Sequence, residues 1–151
     1  MNKREQVAVN IRPMTKGDIH AVLALDWKVG RTGSLLSYKD MVALNLGGAL
    51  DVSFVAEVGS KIVGFVMTRL AYLMIPFTEV CIVQGMLVDP DHQGRGIGTK
   101  LFEKLFEHCH SQGINTIRTL VEERNEELQQ FVQGLGFRRS RIINYDKAFE
   151  Q

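Results

Sequence analysis

Little in this chain marks a special environment, and each shortage excludes something. There are only two cysteines, Cys81 and Cys109, far apart and outside any Cys-x-x-Cys pattern. That argues against a disulfide scaffold and leaves two buried thiols in a reducing cytoplasm as the expectation. No apolar run approaches the roughly 20 residues that span a bilayer, and no hydrophobic segment of signal-peptide type follows Met1 to Gln6. No membrane partner is therefore expected. Charge of one sign is missing too: the formal net charge is +1, which gives no general reason to expect nucleic acid or an anionic surface as a partner. No set of His, Cys and Asp has ligand spacing, so no metal is expected. Prolines number three in 151 residues, and there is no linker, repeat or low-complexity stretch, so residues 1–151 are expected to form one domain.

What is present is a series of well-punctuated elements. Val7-Ala8-Val9-Asn10-Ile11 predicts a strand stopped by Pro13. Thr15-Lys16-Gly17-Asp18 is a capping-box variant before a helix whose apolar face is Ile19, Val22, Leu23 and Leu25. Ser37-Tyr38-Lys39-Asp40 repeats that pattern before a second helix closed by Gly47-Gly48. Strand-like runs from Val52 to Glu57 and from Lys61 to Leu73 flank Gly59-Ser60, a two-residue hairpin turn. After Pro76 comes an almost wholly apolar run, Val80 to Val88, as a buried strand would have. Ile97, Leu101, Phe102, Leu105, Phe106 and Cys109 then line one face of a helix stopped by Gly113. Thr116 to Val121 is a further strand, a helix starts at Asn125, and Ile142-Ile143-Asn144-Tyr145 is a final strand-like run.

Between the apolar run and the amphipathic helix lies Gln93-Gly94-Arg95-Gly96-Ile97-Gly98. Three glycines in five residues bare the backbone where a helix begins. The first helical N–H groups have no intrahelical partner and carry the positive end of the helix dipole, so the place suits a phosphate or pyrophosphate. Arg95 adds a positive charge. A Walker A loop would need Gly-x-x-x-x-Gly-Lys-[Ser/Thr], but counting from Gly94 puts Thr99 at its second glycine, and no Ser or Thr follows Lys100. A dinucleotide fingerprint would need its third glycine one residue later than Gly98 and an earlier place in the chain.

The motif that fits is Gln/Arg-x-x-Gly-x-Gly, preceded by Val88-Asp89-Pro90-Asp91-His92 and followed by Asn-x(10)-Gly-Phe from Asn125 to Gly136-Phe137. This resembles the acyl-CoA-binding motif of the GCN5-related N-acetyltransferase (GNAT) superfamily, over most of the chain from Ile11-Arg12-Pro13 to Leu135-Gly136-Phe137. The resemblance implies an α/β fold: a mixed, twisted central sheet of six to seven strands flanked by about four helices, with strands splayed at the acyl-CoA site. It implies transfer of an acetyl group from acetyl-CoA to a primary amine, on a small molecule or a protein, by direct attack on the thioester. A homodimer is common in the family.

In that picture the pyrophosphate sits on the amides of Gln93, Gly94, Arg95, Gly96, Ile97, Gly98 and Thr99, and the pantetheine arm pairs with the backbone of Met86, Leu87 and Val88. Gly85 fits a bulge or close backbone approach. Asn125 matches an asparagine often near the cofactor arm and is also a natural helix N-cap. The proton carriers do not transfer. Val132 stands at the tyrosine position of Tyr-x-x-x-Gly-Phe, and the two glutamate positions of the family hold Ile82 and Leu120. Glu79 and Tyr145 are the remaining candidates for catalytic base and acid. Asp26, Trp27, Tyr72 and Phe77 are the candidates for the acceptor side, with acids to attract an amine and aromatic walls. An alternative reading is a non-catalytic acyl-CoA-binding regulatory module.

Overall fold

The computed structural model describes residues 8–29, 53–74 and 77–150. Residue contacts divide the chain into two compact units, Met1–Leu120 and Val121–Gln151.

The first unit holds a five-stranded sheet in the order β1 (Val9–Pro13), β2 (Phe54–Val58), β3 (Lys61–Met74), β4 (Phe77–Val88) and β5 (Thr116–Thr119). The first four strands are antiparallel neighbours, and β5 joins β4 in parallel. Gly59, with φ of +62°, makes the expected hairpin turn between β2 and β3. Pro13 is the last residue of β1 rather than a stop before it. It sits at the end of an edge strand, where a missing N–H does little harm. β5 is shorter than the Thr116 to Val121 run, and Leu120 beyond it is exposed.

Two helices cover the two faces. A short 3-10 turn, Lys16–Asp18, leads into α1 (Ile19–Val29), whose Ile19, Val22 and Leu25 pack with Met14, Val55, Phe65 and Met67. On the other face lies α2 (Ile97–Ser111), which buries Ile97, Leu101, Phe102, Leu105 and Cys109, as the apolar stripe required. Its approach is close at Gly64 of β3: a Cβ there would stand 3.1 Å from the Leu87 carbonyl oxygen and 3.4 Å from Leu101 Cδ1. At its far end His108 meets the Phe54 ring edge-on, with centroids 5.5 Å apart. Cys81 and Cys109 are free and buried between β4 and α2, and a hydrogen bond between the thiols holds Cys81 down and pushes Cys109 up.

The start of α1 is fastened by charge. Arg12 presents its fork to both oxygens of Asp18 at 2.8 Å and its Nε to Glu57 at 2.8 Å. The Thr15 amide and hydroxyl donate to Asp18 at 2.8 and 3.1 Å, so the expected capping carboxylate is in place.

The second unit carries α3 (Glu126–Gly134), which buries Val132. Its N-cap is Asn125, whose Oδ1 accepts from the Leu128 amide at 3.1 Å. Gly136, at φ of +95°, closes the helix. The expected strand at Ile142 to Tyr145 is corrected here: residues 142–150 are irregular, with Ile142, Ile143 and Tyr145 exposed. Alternating β-formers make a strand only where a ladder receives their backbone, and among the described residues none does. The described residues thus hold five strands and three α-helices, against six to seven and about four. The second helix, expected after Ser37-Tyr38-Lys39-Asp40 and closed by Gly47-Gly48, lies outside them.

Candidate active site

The site begins where β4 loses its second neighbour. The β4–β5 ladder runs only from Val80↔Thr116 to Val83↔Thr119, while β4 continues five residues further. From Gln84 to Val88 the strand is paired with β3 alone among the described residues, so the backbone groups on its other edge have no ladder partner. The registers Met67↔Gly85 and Thr68↔Val83 leave Gln84 as the extra residue of a bulge. Gly85 was the only sequence signal for it. An added Cβ at Gly85 would meet nothing within 4 Å, so this glycine answers to the bulge rather than to a crowding neighbour.

Past Val88 the chain makes a tight, internally bonded turn. The Asp89 amide donates to the Val63 carbonyl at 2.7 Å, and the Asp91 amide donates to Asp89 Oδ1 at 3.0 Å. Pro90–His92 forms a 3-10 turn, and Gln93 Nε2 reaches back to the Val88 carbonyl at 3.2 Å. Gly94 and Gly96 then take φ of +77° and +75°, the left-handed region that glycine enters without cost. Gly96 is the N-cap of α2 and, having no side chain, leaves the first-turn N–H groups without a side-chain acceptor. Gln93 through Gly96 are exposed, Gly98 and Thr99 half-buried, and Ile97 is turned into the core. The result is a stretch of exposed backbone at a positive helix end, following a strand edge that no described strand covers.

A cluster of charge sits directly beneath. Asp89 is only 1% exposed as a side chain, and Lys28 from the last turn of α1 holds its two oxygens at 3.0 and 3.1 Å. The same ammonium reaches Asp91 at 3.0 Å. The hydrogen bond from the Asp91 amide, aided by Lys28, keeps the Asp89 carboxyl below the usual range, and the two carboxylates push Lys28 up. Sequence reasoning missed this cluster. The acids were visible in Asp89-Pro90-Asp91, but their cation is 61 residues away from Asp89, and no local pattern names it.

The other expected site residues are distributed as follows. Met86, Leu87 and Val88 are half-buried along the free edge of β4. Asp26 is half-buried and Trp27 exposed on α1, beside Lys28. Glu79 lies half-buried on β4 opposite Tyr72, six residues and about 20 Å of strand from Gly85. Phe77 opens β4 opposite Met74. Asn125 and Tyr145 belong to the second unit, where Tyr145 is 88% exposed. At the positions without proton carriers, Ile82 is half-buried, Leu120 exposed and Val132 buried.

Comparison with known proteins identifies the family and the fold. The sequence model of the Acetyltransferase (GNAT) family matches residues 22–137. An uncharacterized N-acetyltransferase of Methanocaldococcus jannaschii is 31% identical over 140 residues, covering 88% of this chain and 62% of that protein. The chain spans only about a third of three further curated relatives. Among solved structures, a possible acetyltransferase from Clostridium difficile superposes with a TM-score of 0.79 at 18% identity, over 95% of this chain and 99% of that one. The aminoglycoside N-acetyltransferase AAC(6')-Iy in complex with CoA gives 0.77 at 21%, over 97% and 99%. With a family match across more than two thirds of its residues and this fold around a glycine turn, the chain belongs to the GNAT acetyltransferase family.

Proposed function

We propose that this protein transfers an acetyl group from acetyl-CoA to a primary amine of a small molecule or a protein. The observation that supports it most is the edge of β4, unpaired among the described residues, running into a glycine-lined helix start with no side-chain cap. A pantetheine arm carries amides that can add to a strand edge, and a pyrophosphate needs clustered N–H donors, so the two halves of one ligand find their complements in sequence. Acetyl-CoA would supply the activated thioester. In this reading the backbone of Met86, Leu87 and Val88 holds the arm, and the amides from Gln93 to Thr99, with Arg95, hold the pyrophosphate. Asn125 is assigned to the arm as well. An amide of Leu87 or Val88 is the donor for the carbonyl oxygen as it gains charge.

The acceptor side is assigned to Asp26 and Trp27 at the end of α1 and to Tyr72, Phe77 and Glu79. Glu79, with Tyr145, remains the proposed proton carrier; about 20 Å of strand from Gly85, Glu79 is placed to attract a cationic amine, and a proton from the reacting amine would reach it only through water. With Ile82, Leu120 and Val132 unable to move protons, the amine loses its proton to water or to these two groups. Activity should then climb with pH up to the amine's own pKa, where a tuned base would have let it level off nearer neutral pH. The two free thiols accord with a cytoplasmic setting.

The test is thiol release from acetyl-CoA against polyamines, amino acids, aminoglycosides and N-terminal peptides. Turnover above solvent aminolysis with one class identifies the acceptor. The apolar residues at Ile82 and Val132 favour one competing reading, a regulatory module that binds acyl-CoA without turnover. Saturable binding combined with no release on any amine would select it.

A further inference from the structure

Lys28 stands at the meeting of two regions that the reaction must bring together. It ends α1, on the side assigned to the acceptor, and its ammonium rests on the two carboxylates that open the glycine turn. Asp89 is enclosed, so its charge must be matched within the protein. Among the described residues three groups face it: the Asp91 amide at 3.0 Å, Lys28 at 3.0 and 3.1 Å, and Lys61 at 4.0 Å. Lys61 is too distant to form a hydrogen bond and adds only a charge at ion-pair range. Asp91 is solvent-facing, yet Lys28 holds it too. Without that ammonium, two negative charges would lie within four residues of Gln93, beside the donors meant for a polyanion. The turn itself is tied to the same carboxylate, because Asp89 Oδ1 accepts the Asp91 amide while Lys28 holds both oxygens.

We infer that Lys28 is a positioning residue for the glycine turn: by neutralising and fixing Asp89 and Asp91 it sets the affinity for coenzyme A and couples the end of α1 to the cofactor. This rests on the coenzyme A reading above. The geometry separates this role from a purely structural one. Lys28 is 46% exposed as a side chain, and ion pairs at such exposure add little to stability. The charge it cancels lies next to the anion site, where a long-range effect on a polyanion is strongest.

The experiment is calorimetric titration of coenzyme A into the wild-type chain, Lys28→Met, Lys28→Arg and Gly96→Asp, with a melting curve for each sample. Lys28→Met should raise the Kd about tenfold while its melting temperature stays within about 3 °C. Lys28→Arg should restore binding to within about threefold of wild type, since it returns the charge. If Lys28→Met melts much earlier, Lys28→Gln, which keeps polar contact without charge, is read by the same criterion. Wild-type affinity in the uncharged variants, or failure of arginine to restore it, would overturn the inference while leaving the coenzyme A reading intact. No binding by the wild type, or normal binding by Gly96→Asp, would instead bring down the reading on which it rests.

Discussion

Two enclosed carboxylates, Asp18 and Asp89, are each held by a cation from another element, and they are held differently. Asp18 meets a guanidinium fork. Arg12 binds both its oxygens and Glu57 besides, so β1, β2 and the entry to α1 are locked in one planar arrangement. Asp89 meets an ammonium, a compact charge with three donors that it shares with exposed Asp91. A fork specifies geometry, whereas a point charge mainly cancels charge. The arginine cluster sits where the fold needs a fixed angle between strand and helix. The lysine cluster sits at the entry to the glycine turn, where the proposed function places an anion. Stability should therefore depend on Arg12 and ligand affinity on Lys28.

The widest separation is expected from Arg12→Ala. It strips two carboxylates of their cation and leaves Asp18, whose side chain is 9% exposed, with only the Thr15 amide and hydroxyl as partners. The cost should be about 2–3 kcal/mol by urea denaturation, with the Kd for acetyl-CoA unchanged. A comparable loss from Lys28→Met would erase the distinction drawn here.

Acid should sharpen the same contrast. The Arg12 hydrogen bond holds the Asp18 carboxyl below its ordinary range. A carboxylate depressed in the folded state contributes fully above its unfolded pKa, about 3.9, and the contribution is lost as pH falls through the lower folded value. The stability difference between wild type and Arg12→Ala should thus be constant from about pH 5 to 7 and shrink below about pH 4. Denaturation series at pH 6 and pH 3 measure it, and an unchanged difference would mean that the pair is not the source. Asp89 is depressed as well, so it keeps its charge, and with it the Lys28 contact, to lower pH than an ordinary carboxyl does.

A smaller effect is expected at the bulge. Gly85→Ala has open space for its methyl group, so melting should move by only about 2 °C. Turnover in the thiol-release assay should change by less than about threefold, as the strand edge stays free. A large loss of binding would show that the backbone at Gly85 approaches the ligand more closely than a methyl allows. Smallest of all, Tyr145→Phe on an exposed side chain should leave the melting temperature alone. Its effect on turnover decides whether that hydroxyl is a proton carrier.

What was legible in the sequence follows from what is local. The glycine turn was readable because positive φ, a missing cap and a helix start all demand residue types within six positions. The capping carboxylate at Asp18 and the N-cap at Asn125 were local in the same way. Gly85 hinted at the bulge without identifying Gln84 as its extra residue. The end of the β4–β5 ladder at Val83 carried no signal, since an apolar strand looks alike with one neighbour or two. The arginine and lysine clusters join residues that only the folded sheet brings together. Ile142 to Tyr145 shows the converse: residues that suit a strand form none, since among the described residues no ladder receives them.

The most direct test of the central claim is a calorimetric titration of acetyl-CoA into the wild-type protein and into Gly96→Asp. The account predicts one saturable site with a Kd of about 1 mM or tighter for the wild type. It predicts at least about hundredfold weaker binding when a carboxylate is placed at the uncapped start of α2. A wild-type protein that gives neither heat nor thermal shift, or a Gly96→Asp variant that binds as well as the wild type, would contradict it.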